Sequence, residues 1–532
     1  MKRRTEKIRK EHASMKQQRR IICLILFMAL ITFLPGVGSL KSEAASKGKY
    51  FTSGSVFYHT VSDSAVEVCG VGKKEKVFVV PGSVSYKGKE YTVVGIANHN
   101  LLNAGKTTEM SAEGSDVDVE SMGYDWYTYA RTDGKSFPKG MRQISGAAIQ
   151  KVILPSTLKY IGSGAFAGCN NLKDVQFAKS YKKLTVKKNA FVGTGIKSIS
   201  FPKGTYAIEE YATGKIENIM IPASVKKIGS QVVNADTKNV TISKGNRKYK
   251  MKSGILYTYD EKMLVGISGK VKKVKVSGKT TKIGKYAFAW SRVESVALNN
   301  KINEIPKGAF LECSKLKKVT GTEALTKISY GAFKGCYKLT TIGKLQKVKT
   351  VERAAFWDCE KLTLEISSEM DIDDNALGGT QVGRYANVII PQGDTKYTVQ
   401  NGLLIKTVGD SRIVIKQDDN MNKIEIPEGV TDVAVFVGGQ TCEEIVFPAS
   451  LTQQRGAVRV HMGTIIYKGL VPPQFGKDFT IDNYNRRELK DGKEKPAEII
   501  FPKGSMEAYK KAMGEELQYL LWESGAFLVR EQ

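Results

Sequence analysis

Alanine-phenylalanine pairs recur along the chain at a near-constant interval, and that interval limits the fold more than any other feature. They stand at Ala165-Phe166, Ala190-Phe191, Ala287-Phe288, Ala309-Phe310, Ala332-Phe333 and Ala355-Phe356, with the last four phenylalanines 22, 23 and 23 residues apart. A period of this length marks a unit that cannot bury its apolar face alone, so neighbouring units must stack into a solenoid. Five residues before each Phe comes an aliphatic side chain: Ile161, Val186, Ile283, Ile305, Ile328 and Val351. Three and six residues after it, four repeats carry Cys and Leu: Cys169 and Leu172, Cys313 and Leu316, Cys336 and Leu339, Cys359 and Leu362. A shorter form without Cys places the next aliphatic residue at plus five, as in Phe191 to Ile196, Phe288 to Val293 and Leu377 to Val382. These positions are expected to form buried rungs.

Alternating apolar residues ending in proline follow several units, as in Ile199-x-Phe201-Pro202, Ile219-x-Ile221-Pro222 and Ile445-x-Phe447-Pro448. Period-two alternation of β-branched and aromatic residues signals a short strand, which the proline stops. Used as a ruler, this ending finds degenerate repeats near Ile144, Tyr211 and Val437. The expected fold is therefore an α/β-type repeat solenoid, a curved stack of short parallel strands with turns or short helical segments, at about 22–23 residues per repeat. A dozen rungs at the ~4.8 Å strand spacing would span on the order of 60 Å.

The pattern I-G-x-x-A-F-x-x-C-x-x-L-x-x-V, complete in Ile161 to Val175, resembles the BspA-like bacterial surface-antigen leucine-rich repeats. Asn246-Arg247-Lys248-Tyr249 running to Gly254-Ile255-Leu256-Tyr257 is similar to that family's strand-pair insert, and 394–403 is a second copy without the final Tyr. Phe501-Pro502-Lys503-Gly504-Ser505-Met506-Glu507-Ala508-Tyr509 resembles its closing strand and helix. The resemblance implies a secreted or surface-associated protein that attaches to host or matrix proteins and to other cells. Such motifs specify a fold better than a function.

The chain begins with a basic stretch, a fourteen-residue apolar run Ile21 to Leu34, and Pro35-Gly36, the layout of a secretory signal peptide. Cleavage is expected after Ala44, with a signal anchor as the alternative and Met15 as a second start; fourteen apolar residues fall short of the ~20 that span a bilayer. No transmembrane span is expected after cleavage. Removal of 1–44 takes away ten basic and three acidic residues and leaves a net charge of +22 from the full chain's +29. The organisation is then 1–44 leader, 45–140 N-terminal cap and degenerate repeats, 141–450 repeat solenoid with strand-pair inserts near 246–268 and 394–416, and 451–532 degenerate repeats, an insert and a capping helix. Met506, Tyr509, Met513, Leu517 and Leu521 lie at helical spacing and would close the open end.

Where the rhythm breaks, function is sought. The insert 106–137 gathers acids beside Tyr124, Asp125, Trp126, Tyr127 and Tyr129, residue types favoured at binding hot spots, and these five are the candidate binding residues. A calcium loop starting at Asp116 would need Gly sixth and Glu twelfth, where Ser121 and Tyr127 stand. The repeat cysteines share one repeat position and are expected as buried free thiols, with a bond between consecutive rungs as the alternative. No C-x-x-C, H-E-x-x-H or G-x-S-x-G occurs, and beyond the leader only His59, His99 and His461 could serve a catalytic centre. No enzyme activity, cofactor, metal or specific nucleic acid is therefore expected. The leading reading is an exported, non-catalytic recognition protein that binds protein or glycan ligands at a host or bacterial surface. The alternatives are a structural envelope protein held by its lysines on anionic cell-wall polymer, by a salt-sensitive attraction, and an exported hydrolase. Outward strand positions Gln176, Ser200, Met220, Ala297 and Thr320 share no chemical theme.

Overall fold

Each repeat folds as a flattened triangle whose first side is the strand after the conserved leucine. In the repeat around Phe333, Lys318–Thr320 forms that first side and Lys327–Ile328 the second. The third side is the turn through Ala332-Phe333 to Cys336. The computed structural model describes residues 49–98, 137–378, 386–418, 421–439, 441–460, 463–477, 479–483, 496–514, 518, 521 and 527–532. Tyr50–Gln532 forms one compact unit. Among the described residues between 50 and 505 no helical turn occurs, so the return segments there are turns rather than short helices.

Like sides stack in parallel. Lys273–Lys275, Ser295–Ala297, Lys318–Thr320 and Thr341–Ile342 form a stretch of the first ladder, and Glu304–Ile305, Lys327–Ile328, Thr350–Val351 and Asp371–Ile372 a stretch of the second. The turn side is also bonded along the stack, Phe288, Phe310, Phe333 and Phe356 N–H donating to Ala309, Ala332, Ala355 and Ala376 carbonyls at 2.7–2.9 Å. Each phenylalanine ring consequently lies flat on the next. Centroids from Phe288 through Phe310 and Phe333 to Phe356 are 4.6, 5.0 and 5.4 Å apart, and Phe166 lies 5.5 Å from Phe191. Leu172, Leu316, Leu339 and Leu362 are buried beside them.

The cysteine follows from the same geometry. Cys313, Cys336 and Cys359 donate their thiol hydrogens to the carbonyls of Phe288, Phe310 and Phe333 at 2.9, 3.1 and 3.2 Å. Cys169 donates to Ile144 O at 3.0 Å, which gives Ile144 the phenylalanine position of its degenerate repeat. A small, mildly apolar donor at this point satisfies a buried carbonyl without a larger polar group. All six described cysteines are buried, and no disulfide joins any two of them. In the repeat near Tyr211, the bond from Phe191 N–H to Ala212 O puts Thr213 at the phenylalanine position.

Three times the stack is interrupted by an antiparallel meander whose third strand joins the second ladder. The strands are Tyr50–Ser53, Val56–Ser62 and Ala65–Gly72; then Tyr249–Lys252, Ile255–Thr258 and Met263–Ile267; then Tyr397–Gln400, Leu403–Val408 and Ser411–Gln417. The two internal meanders turn on Ser253-Gly254 and Asn401-Gly402, whose φ values are all positive, as a two-residue type I′ turn requires. Both open on an Asx turn, Asn246 and Asp394 accepting from the N–H of Tyr249 and Tyr397 at 2.9 Å. The tyrosine hydroxyl then accepts the N–H of the preceding second-ladder strand, Ile228 for Tyr249 at 3.0 Å and Ile372 for Tyr397 at 3.2 Å.

The buried core divides at these meanders. One cluster runs from Phe51 to Val232, a second from Ile255 to Ile415 and a third from Leu403 to Phe527. Alternation along a strand explains the division, since Leu404 and Ile415 face the second cluster while Leu403, Ile405 and Val414 face the third. The far end is closed by the helix Met506–Ala512 and the strand Phe527–Glu531. Tyr509 is buried against Tyr467 and Phe501 and donates to Gly469 O at 2.9 Å, while Met513 and Leu521 join the core. Leu517 lies outside the described residues.

Candidate recognition surface

The five candidate binding residues Tyr124, Asp125, Trp126, Tyr127 and Tyr129 lie outside the described residues, as do His99 and His461. The repeat positions Phe166, Cys169, Leu172, Phe191, Phe288, Phe310, Cys313, Leu316, Phe333, Cys336, Leu339, Phe356, Cys359 and Leu362 are all buried, so contact with a ligand falls to the side chains between them.

One corner of the stack departs from its own rule. Two residues after the phenylalanine position the chain is left-handed, with φ of 69–73° at Gly168, Gly193 and Gly335. The same conformation is held by Trp290, Glu312 and Asp358, with φ of 57, 55 and 60°. A side chain there costs about 1–2 kcal/mol that glycine avoids. Trp290 stacks on Tyr286 at 6.5 Å and meets Tyr211 edge-on at 6.2 Å. Glu312 lies over Gly335, where an added Cβ would stand 2.3 Å from its Oε1. Burial, and then the charge of Asp358, push the Glu312 carboxyl up to about 7 against the opposing pull of Lys334. Lys334 in turn lies 4.6 Å over the Trp357 ring, and Lys307 5.0 Å over Tyr330. The corner thus carries half-buried aromatic rings beside the half-buried carboxyl of Glu312, with Asp358 buried behind them. Sequence reading passed over it, although glycine at 168, 193 and 335 against Trp, Glu and Asp at the equivalent positions was a signal.

A second polar assembly lies across the first meander. His59 Nδ1 meets Glu67 Oε1 at 3.0 Å, and Tyr160 donates to Glu67 Oε2 at 2.8 Å. The tyrosine reaches over Gly95, whose added Cβ would stand 2.2 Å from its ring, so glycine is required there. Burial and then Glu67 raise the Tyr160 hydroxyl far above its ordinary range, which makes it a fixed donor. Among the described residues His59 makes no hydrogen bond to a serine, threonine or cysteine. Nor does any group of three His, Cys, Asp or Glu side chains among them lie close enough to hold a metal ion. No helix of the described residues is long and apolar enough to cross a membrane.

Residues 143–253 and 268–378 match the BspA type leucine rich repeat region in six copies. No curated protein matches the chain. Among solved structures it is similar to a leucine rich cell surface protein from Faecalibacterium prausnitzii, with 18% identity, 65% of this chain and 96% of that one covered, and a TM-score of 0.39. The pneumococcal vaccine antigen PcpA has 14% identity, coverage of 91% and 98%, and a TM-score of 0.34. A leucine-rich repeat protein from Bacteroides ovatus has 16% identity, coverage of 91% and 99%, and a TM-score of 0.34.

Proposed function

The chain is a BspA-type leucine-rich repeat protein over residues 143–253 and 268–378, and from that premise we propose that it is an exported, non-catalytic recognition protein acting in adhesion. The observation that carries this reading is the corner row Trp290, Glu312 and Asp358, where side chains replace glycine at left-handed positions. Strain retained where glycine would relieve it points to a use at the surface. Partly exposed aromatic rings at Tyr286, Trp290 and Trp357 beside the Glu312 carboxyl suit a ligand that offers apolar faces and hydrogen-bond donors, as protein side chains and sugars do. Tyr124, Asp125, Trp126, Tyr127 and Tyr129 are kept as proposed contacts on sequence grounds. Export rests on the leader 1–44 and a bacterial surface location on the family.

The test is a pull-down from host-cell-surface and bacterial-envelope extracts at low and ~0.5 M salt, where charge attraction reaches only a few ångströms. One protein or glycan retained at both salts, and released by Trp290→Ala with Trp357→Ala, is the expected outcome. Retention of nothing at high salt would sink the reading.

A further inference from the structure

Residues 262–293 contain nine basic residues and no acidic one: Lys262, Lys270, Lys272, Lys273, Lys275, Lys279, Lys282, Lys285 and Arg292. None of the nine forms an ion pair with a described carboxylate, although the chain pairs its lysines readily elsewhere. Glu217 bridges Lys197 and Lys238 at 3.4 and 2.8 Å, Asp174 holds Lys151 at 3.1 Å and Glu444 holds Lys423 at 2.6 Å. Those pairs join neighbouring rungs of the first ladder, so this ladder normally cancels its charge from strand to strand.

Here it does not. Lys273 and Lys275 point outward from their strand and lie in register with Ser295 and Ala297, then with Lys318 and Thr320. Just before the strands come Lys272, Glu294 and Lys317, joined in a row by backbone hydrogen bonds. Lys270 reaches back across the break in the ladder to donate to Asn239 Oδ1 at 2.9 Å. Asn239 continues to Asn218 at 2.6 Å and Asn218 to Ser198 at 3.0 Å, a ladder of amide and hydroxyl groups on the same outer side. Lys270, Lys272, Lys273, Lys275, Lys317 and Lys318 are all exposed around a floor of small side chains, with Glu294 the one carboxylate among these positions.

We propose that this outer face of the first ladder, at the rungs of Lys273, Ser295 and Lys318, binds a linear polyanion carrying one strong anionic group per unit. The strand register sets Lys273 and Lys318 two rungs apart, about 10 Å, a spacing that an extended charged polymer can follow. The short floor residues let the polymer backbone lie close, and the amide ladder supplies hydrogen bonds beyond the charged patch. The anion is phosphodiester or sulfate; the two sources are an envelope polyol phosphate and a sulfated host glycan. The site is separate from the aromatic corner, so either can fail alone.

The experiment measures binding of the full chain to poly(glycerol phosphate), dextran sulfate and neutral dextran over a salt series. The expected result is binding to one or both anionic polymers and none to the neutral one. Replacing Lys272, Lys273 and Lys275 by Gln should lower affinity at least tenfold and flatten the salt dependence by about two released ions. Replacing the exposed, unpaired Lys159, Lys182 and Lys203 by Gln should change affinity less than threefold. Preference for the phosphate polymer assigns the envelope source, and preference for the sulfate polymer the host glycan. Equal losses in the two triple variants would show diffuse charge attraction, and absence of binding to both polymers would equally overturn the site.

Discussion

At the scale of single residues, burial holds the proton on both the thiol ladder and the acid at position 312, with different consequences. Cys336 and Cys359 are pushed well above the ordinary thiol range, first by desolvation. The thiolate is the reactive form, so these thiols should ignore an aromatic disulfide reagent in the folded protein and react once it is unfolded. A native-state titration that consumes the thiols of Cys313, Cys336 and Cys359 would contradict this placement. Glu312, held up at about 7 chiefly by burial, behaves differently. Its folded form keeps a proton that the unfolded chain loses above its ordinary value near 4.5, so the stability it lends falls as pH rises from about 4.5 through 7. Glu312→Gln should therefore raise the unfolding free energy at pH 8 by about 1 kcal/mol and leave it unchanged at pH 4. Neither feature was written in the repeat pattern. The pattern placed Cys beside Phe, but the acceptor carbonyl lies one rung away, and the environment of Glu312 depends on Gly335 and Asp358 in the next two rungs.

At the scale of elements, the meanders act as walls between core segments and are tied to their neighbours by a few polar groups. Tyr397 donates to Met370 O at 3.1 Å while accepting from Ile372 N–H, so Tyr397→Phe leaves the buried Ile372 N–H without a partner and Met370 O with Lys396 Nζ alone, at 2.8 Å. A cost of about 1–3 kcal/mol in denaturant unfolding is expected. Beyond it, Asp374 joins Lys406 at 3.3 Å and Arg455 at 2.8 Å, which spans the second internal meander from the rung before it to a rung after it. The first internal meander relies on Glu261, whose carboxyl is drawn down to about 2 by Lys250, Ser277 and Lys252. Its contribution is complete above the ordinary value near 4.5 and disappears as pH falls toward 2. Hydrogen-exchange protection at 249–267, relative to the intrinsic rate at each pH, should fall over that window in the full chain and not in Glu261→Gln, which starts from the lower protection. The internal meanders were legible because Asn246 and Asp394 each stand three residues before a Lys-Tyr pair's tyrosine. Tyr50 has Lys47 at that place, and the first meander carries no such mark.

At the scale of the whole unit, the three large core clusters make stability a property of segments rather than of one body. In a stack where each rung touches only its neighbours, deleting one buried ring weakens its own segment most. Phe333→Ala should cost about 3–5 kcal/mol, and its exchange effect should be confined to the segment from Ile255 to Ile415. Uniform acceleration from Phe51 to Phe527 would contradict the division. The solenoid itself was plain from the sequence, because the Phe, Cys and Leu positions repeat and a periodic signal accumulates with each copy. What outward residues do was not plain, since they repeat nothing. The lysines count as basic in any reading, but the gathering of Lys272, Lys273 and Lys275 with Lys317 and Lys318 on one outer face emerges only from the strand register.

The most direct measurement for the central claim is adherence. Beads coated with the protein, and beads coated with the Trp290→Ala, Trp357→Ala variant, would be counted on host cells at physiological and ~0.5 M salt. Adherence of the first that persists at high salt and is lost in the second is the predicted result. Adherence equal for both, or vanishing at high salt, would contradict recognition through the aromatic corner and leave charge alone to hold the protein at a surface.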